Sequence, residues 1–156
     1  MINVFFEDEE ITKDDLYFMC YMIERVARTL HVRNKEVVNS IGYQELVRKI
    51  SLASVLHCEN PLKVVDEWIE EYNLEKGDFD ILDLDYNLVT KAPTETQIGK
   101  VYKRLILNTL EPGEDYIQGL IRVYNSSICE TIDNYNSSAY YEPTPTIVRS
   151  YYTSSF

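Results

Sequence analysis

From Thr12 onward, apolar residues return every three or four positions. Leu16, Met19, Cys20, Ile23, Val26, Ala27 and Leu30 fall on one stripe, which predicts a helix over residues 12–31. Thr12 followed three residues later by Asp15 supplies a shortened capping box at its start. A second, short helix is expected from Asn34, read as its N-cap, to Ile41, with Gly42 as the stop. Residues 43–56 continue as a third helical segment. The fourth has the sharpest start, with Asn60 as cap and Pro61 in the first helical position. In it Val64, Val65, Trp68, Ile69 and Tyr72 turn inward, while Glu67, Glu70 and Glu71 turn out.

After Gly77 the pattern changes. In residues 78–90 apolar side chains partly alternate with aspartates, which predicts a short extended segment near 79–89 lying on the bundle surface. Helical spacing resumes at Thr94, which forms a capping box with Gln97 ahead of Ile98, Val101, Tyr102, Leu105 and Ile106. Glu111-Pro112-Gly113 interrupts the chain. Ile117 to Tyr135 then repeat at helical spacing over five turns, weakened and kinked at Asn125-Ser126-Ser127. A last short helix is expected after Pro145.

These elements predict a mainly α fold, a single compact bundle of about six helices. Helices of this length pack their stripes together or do not persist in water. Residues 1–156 are expected to make one domain, with the halves 12–77 and 93–156 sharing a core. The 45% apolar content supports an interior and the 26% charged fraction argues against wholesale disorder. Thirteen tyrosines suit core edges and contact surfaces.

Charge adds a functional constraint. The net charge is −11, and it is concentrated: residues 7–15 carry −5 and residues 59–87 carry −8, so the remainder is slightly basic. Such a field repels phosphates and anionic membranes and attracts basic partners. Direct nucleic-acid binding is disfavoured. No apolar run reaches the roughly 20 residues of a membrane span, and the acidic start MINVFFEDEE does not read as a signal peptide. Three scattered cysteines do not form a disulfide framework, so a cytoplasmic setting is expected.

The candidate chemistry is sparse. A calcium loop starting at Asp83 has Asp85 and Asn87 in register, but Leu88 stands where glycine must turn and Thr94 where a bidentate glutamate is needed. His57 and Cys58 adjoin and so point apart, and no CxxC or HxxxH spacing supports zinc. Cys20 and Cys129 sit on apolar stripes and read as buried thiols. Asp66 and Glu70 share a solvated helix face rather than facing each other across a cleft. There is no phosphate-binding glycine loop, GxSxG or HExxH. No catalytic residue, metal ligand or cofactor is therefore assigned. The acids Glu67, Glu70, Glu71, Asp78, Asp80, Asp83 and Asp85 are the candidate contact strip for a protein partner with a basic surface.

In the first half, Ile23-Glu24, Ala27, Leu30, Glu36-Val37, Ser54-Val55-Leu56-His57, Val64-Val65-Asp66 and Ile69 form a pattern over residues 17–72. It resembles a family of short, uncharacterised bacterial helical proteins often encoded beside an ADP-ribosyltransferase-like toxin. Residues 43–53 are longer than that pattern, and residues 78–156 lie outside it. The resemblance implies a bacterial, phage or mobile-element origin, a cytoplasmic setting and a protein partner, and it carries no catalytic residues. The expected function is a non-enzymatic, antitoxin-like or regulatory binding module. The alternatives are a phage-type nucleic-acid mimic that blocks a host defence nuclease, and a small enzyme with an unrecognised site.

Overall fold

In the computed structural model, which describes residues 1–156, nine α-helices and one 3-10 turn account for the regular structure, and no strand forms. In chain order the helices are α1 (Lys13–Leu30), α2 (Asn34–Ile41), α3 (Tyr43–Ser51), α4 (Ala53–Leu56), α5 (Pro61–Glu71), α6 (Glu95–Thr109), α7 (Tyr116–Tyr124), α8 (Ser127–Ile132) and α9 (Thr144–Thr153). The 3-10 turn, Ala139–Tyr141, precedes α9. No helix is long and apolar enough to cross a membrane.

The helix count exceeds six for local reasons. Leu52 leaves helical geometry and divides the expected 43–56 segment into α3 and α4. Asn125 and Ser126 divide the 117–135 segment. The Asn125 side chain donates to the Ile121 carbonyl (2.8 Å) and the Ser126 hydroxyl to that of Val123 (2.6 Å), so side chains take acceptors that a continuing helix would use.

The predicted starts hold where the cap is local. Thr12 and Asp15 exchange hydrogen bonds of 3.2 and 2.8 Å, Thr94 and Gln97 exchange bonds of 3.1 and 2.9 Å, and Asn60 accepts from the Leu62 amide at 3.0 Å. Each such cap contributes about 1 kcal/mol.

The central element is α1. Phe18 and Met22, off the expected stripe, are buried together with Leu16, Met19, Ile23 and Val26, so the helix is covered on nearly every side. It packs along α6, with α2, α3, α4 and α5 around it. Gly99 of α6 lets the two helices approach, since a Cβ there would lie 3.1–3.2 Å from Tyr17 and the Tyr21 backbone. One continuous apolar core runs from Ile11 to Ile147 and draws on both halves of the chain. Trp68 is buried in it, and the Tyr102 and Tyr124 rings stack within it at 4.3 Å.

Candidate functional site

Residues 72–94 cross from α5 to α6 and carry the aspartate-rich stretch. The expected extended segment does not form there; the backbone makes turns. Two aspartates build them. Asp80 accepts from the Leu82 amide at 3.0 Å and Asp85 from the Asn87 amide at 2.9 Å, the Asx-turn pattern of a side chain satisfying a backbone group two residues on. The alternation of apolar and acidic residues therefore arises from a turn–anchor–turn sequence.

The loop is fastened at several points. Gly77 and Phe79 donate their amides to the carbonyls of Leu30 (2.8 Å) and His31 (2.9 Å), which fill acceptors left open by the end of α1. A Cβ on Gly77 would stand 2.7 Å from the His31 oxygen, so this approach requires glycine. The Arg33 guanidinium lies 4.2 Å from the Phe79 ring centre, Ile81 is buried, and the Asp85 amide donates to the Asn136 side chain at 2.7 Å. At the far end the Pro93 carbonyl accepts from Arg28 at 2.7 Å.

This geometry divides the predicted strip. Asp78, Asp80 and Asp83 line one groove of about 540 Å³, together with Arg33, Glu130 and Asp133. Asp85 lies outside it, engaged in its turn. The α5 glutamates are not among its walls: Glu67 pairs with Lys63 at 3.6 Å, Glu71 pairs with Lys49, and Glu70 is exposed on the same helix. Three of the seven acids of the expected strip thus line this groove, joined by Glu130 and Asp133 from a region where no acid was singled out, and the other four lie outside its walls. No group of three or more His, Cys, Asp or Glu side chains is arranged to hold a metal ion.

Asp133 connects this groove to a polar cluster inside the bundle. Its Oδ1 accepts from the Tyr102 hydroxyl at 2.5 Å, and its Oδ2 accepts from Asn34 at 3.1 Å and from the Cys129 thiol at 3.3 Å. The same Asn34 amide nitrogen donates to Glu24 at 3.0 Å, so one amide bridges two buried carboxyl groups. Glu24 also accepts from Arg28 (2.6 Å) and from the Tyr135 hydroxyl (2.8 Å). Asn34 thus does not cap α2 as expected. Its side chain turns inward, and the Arg33 amide finds Glu36 instead at 2.6 Å. With both donors so used, the Asn34 carbonyl oxygen has no partner, a cost of about 1–3 kcal/mol.

Burial pushes the Asp133 carboxyl up to about 7, and the neighbouring Glu24 pushes it the same way. The bonds from Tyr102, Cys129 and Asn34 act in the opposite direction. Burial likewise raises the Tyr102, Tyr124 and Tyr135 hydroxyls and the Cys129 thiol. Burial therefore favours the neutral forms of Asp133, these tyrosines and Cys129, beside the ion pair of Glu24 with Arg28. The cluster lies within the bundle, and of its members only Asp133 and Tyr135 line the groove.

Two signals pointed to this cluster. Glu24 lies four residues after Cys20 and three before Ala27, on the apolar stripe itself. Asp133 lies four residues after Cys129 and directly after Ile132.

No family model matches the chain, and no curated protein and no solved structure is similar to it.

Proposed function

We propose that this protein is a non-enzymatic binding module whose groove between the 78–85 loop and α8 receives a basic side chain or segment of a partner protein. The observation that supports this reading is the imbalance of charge at the groove. Asp78 and Asp83 have no ion-pair partner, Glu130 is held only by exposed Lys35 at 3.3 Å, and the one cation in the wall, Arg33, stacks on Phe79. A rim of this kind steers an oppositely charged partner and fixes its register more than it adds raw affinity. An antitoxin-like or regulatory role is the form of such binding that the proposal favours.

Asp80 and Asp85 hold turns, so reversing them disturbs the loop itself. The informative variant is Asp78→Lys with Asp83→Lys. The expected result is that proteins captured from a host lysate by the wild type are lost with this variant, while its thermal midpoint stays within a few degrees. Capture unchanged by the double reversal would refute the groove as the docking site. If captured partners are instead displaced by duplex DNA or structured RNA competing for the partner, nucleic-acid mimicry replaces simple docking.

A further inference from the structure

The outer face of α6 carries charge opposite to that of the chain as a whole. Lys100 and Arg104 lie one helical turn apart, and with Lys91 they line a trough from Leu88 to the start of α9. The trough has two lobes, of about 430 and 770 Å³, which meet at Gln97, Tyr140 and Tyr141. None of the three cations forms an ion pair, and Glu142 is the one acid in either wall. Apolar surface adjoins the charge: Tyr141 is 71% exposed and Leu88 66%. In a chain with 26 acids, three unneutralised cations beside exposed Tyr141 and Leu88 form a surface that its own walls, with Glu142 as their one acid, do not neutralise. What fits it is a segment with apolar rings directly next to carboxylates.

This chain presents such a segment elsewhere. The Asn3 side chain donates to the Ser51 carbonyl at 2.9 Å and accepts from the Phe5 and Phe6 amides at 2.9 and 2.8 Å, which fixes the start of the chain against the end of α3. Phe5 and Phe6 are 40% and 39% exposed, with the Arg48 guanidinium 4.9 Å from the Phe5 ring centre. Glu7, Asp8, Glu9 and Glu10 follow, all exposed and none in an ion pair. Neither lobe of the trough is lined by a residue before Leu88, so the two surfaces do not meet within one chain.

We infer that the α6 trough is a docking site for the Phe5–Glu10 segment of a second copy of this chain. The cations face the four acids, and Phe5 and Phe6 meet the apolar surface of exposed Tyr141 and Leu88 and half-buried Val101. The two surfaces differ, so the contact is heterologous and copies join head to tail, into a ring if the rotation closes and a chain if it does not. A polyanion is a poorer occupant, because three cations neutralise few phosphates and the net charge of −11 repels the rest. The 78–85 loop of a second copy is also poorer, because Asp80 and Asp85 are already engaged in its own turns, whereas the side chains of Glu7, Asp8, Glu9 and Glu10 make no hydrogen bond.

Sedimentation of the full chain from micromolar to near-millimolar concentration tests this. The weight-average mass is expected to rise above the 18.3 kDa of one chain. Lys100→Glu with Arg104→Glu, and separately Glu7→Lys with Glu9→Lys, are each expected to raise the dissociation constant at least about tenfold. Mixed in equal amounts, the two variants associate again, through the intact segment and trough and through the pair in which both charges are reversed. The inference is overturned if the wild type stays monomeric throughout. It is equally overturned if folded variants associate like wild type, if their mixture stays monomeric, or if Asp78→Lys with Asp83→Lys abolishes association instead. Binding of a single-stranded oligonucleotide by a monomeric wild type, lost in Lys100→Glu with Arg104→Glu, would assign the trough to a polyanion.

Discussion

Replacing Asp133 by asparagine isolates the proton held inside the bundle. The folded protein holds the Asp133 carboxyl at about 7, whereas an unfolded carboxylate titrates near 3.9. Between those values the native state binds a proton that the unfolded chain has released. The stability that this group contributes is therefore fully present below about 3.9, is lost progressively as pH rises across that interval, and is gone above about 7. The separation of the two values sets an upper bound of about 4 kcal/mol on the loss. The charged and titrating groups facing Asp133 come from several elements: Glu24 and Arg28 on α1, Tyr102 on α6, Cys129 and Glu130 on α8, Tyr135 beyond it, and Asp78, Asp80 and Asp83 across the groove. An asparagine keeps a carbonyl oxygen for Tyr102 and cannot ionise, so most of these neighbours act on both proteins alike. Urea unfolding followed by circular dichroism at steps from pH 4.5 to 8 measures the difference. Wild type is expected to lose roughly 1–3 kcal/mol relative to the variant as pH rises across this range. For a chain of this size that corresponds to a relative fall in melting temperature of several degrees. Stability curves that remain parallel from pH 4.5 to 8 would refute an elevated Asp133 carboxyl and, with it, the account of the buried pair.

Two further outcomes follow from the packing. Arg122 donates to both Glu114 oxygens (2.6 and 3.0 Å), to the Thr109 carbonyl (2.9 Å) and to the Tyr151 hydroxyl (2.6 Å), joining the end of α6 to α7 and α9. This fork holds the Glu114 carboxyl below its ordinary value. Lysine cannot span those acceptors, so Arg122→Lys is expected to cost about 1–3 kcal/mol in chemical denaturation and to speed hydrogen exchange in α9; wild-type exchange rates there would argue against the fork as the tie. Among the cysteines, Cys58 is exposed, Cys20 and Cys129 are buried, and burial pushes the Cys20 thiol up to about 12. A disulfide reagent at pH 8 is expected to modify one thiol rapidly in the native protein and all three after unfolding, and rapid native modification of a second would contradict the burial.

What could be read from the sequence divides by the range of the interaction. Thr12, Asn60 and Thr94 are recognisable as helix starts because a cap closes within three residues, and the stripe of α1 is recognisable because its period is internal to the helix. The break at Leu52 is harder, since apolar periodicity continues across it, whereas the Asn125-Ser126-Ser127 run marks the other break. The aspartate loop misleads because an Asx turn and an extended strand produce similar alternation; they differ in whether the carboxylate reaches its own backbone, as Asp80 and Asp85 do. Asn34 misleads in another way. It stands where a cap belongs, but its partners Glu24 and Asp133 lie 10 and 99 residues away. The groove shares that difficulty, because Asp78 and Asp133 meet only after α8 is placed against the loop. Composition made the excess of acid plain and gave no sign that Lys91, Lys100 and Arg104 would line one trough.

The bond between Glu24 and Tyr135 spans 111 residues, and this has a consequence for how the chain comes into being. While the polypeptide is still emerging from the ribosome, α1 through α5 can collapse around their apolar stripes but leave Glu24 facing an interior that lacks its phenol. A stable intermediate built from the first half is thereby penalised. A fragment ending before residue 133 lacks both Asp133 and Tyr135, and it is expected to be digested by proteases faster than the whole chain.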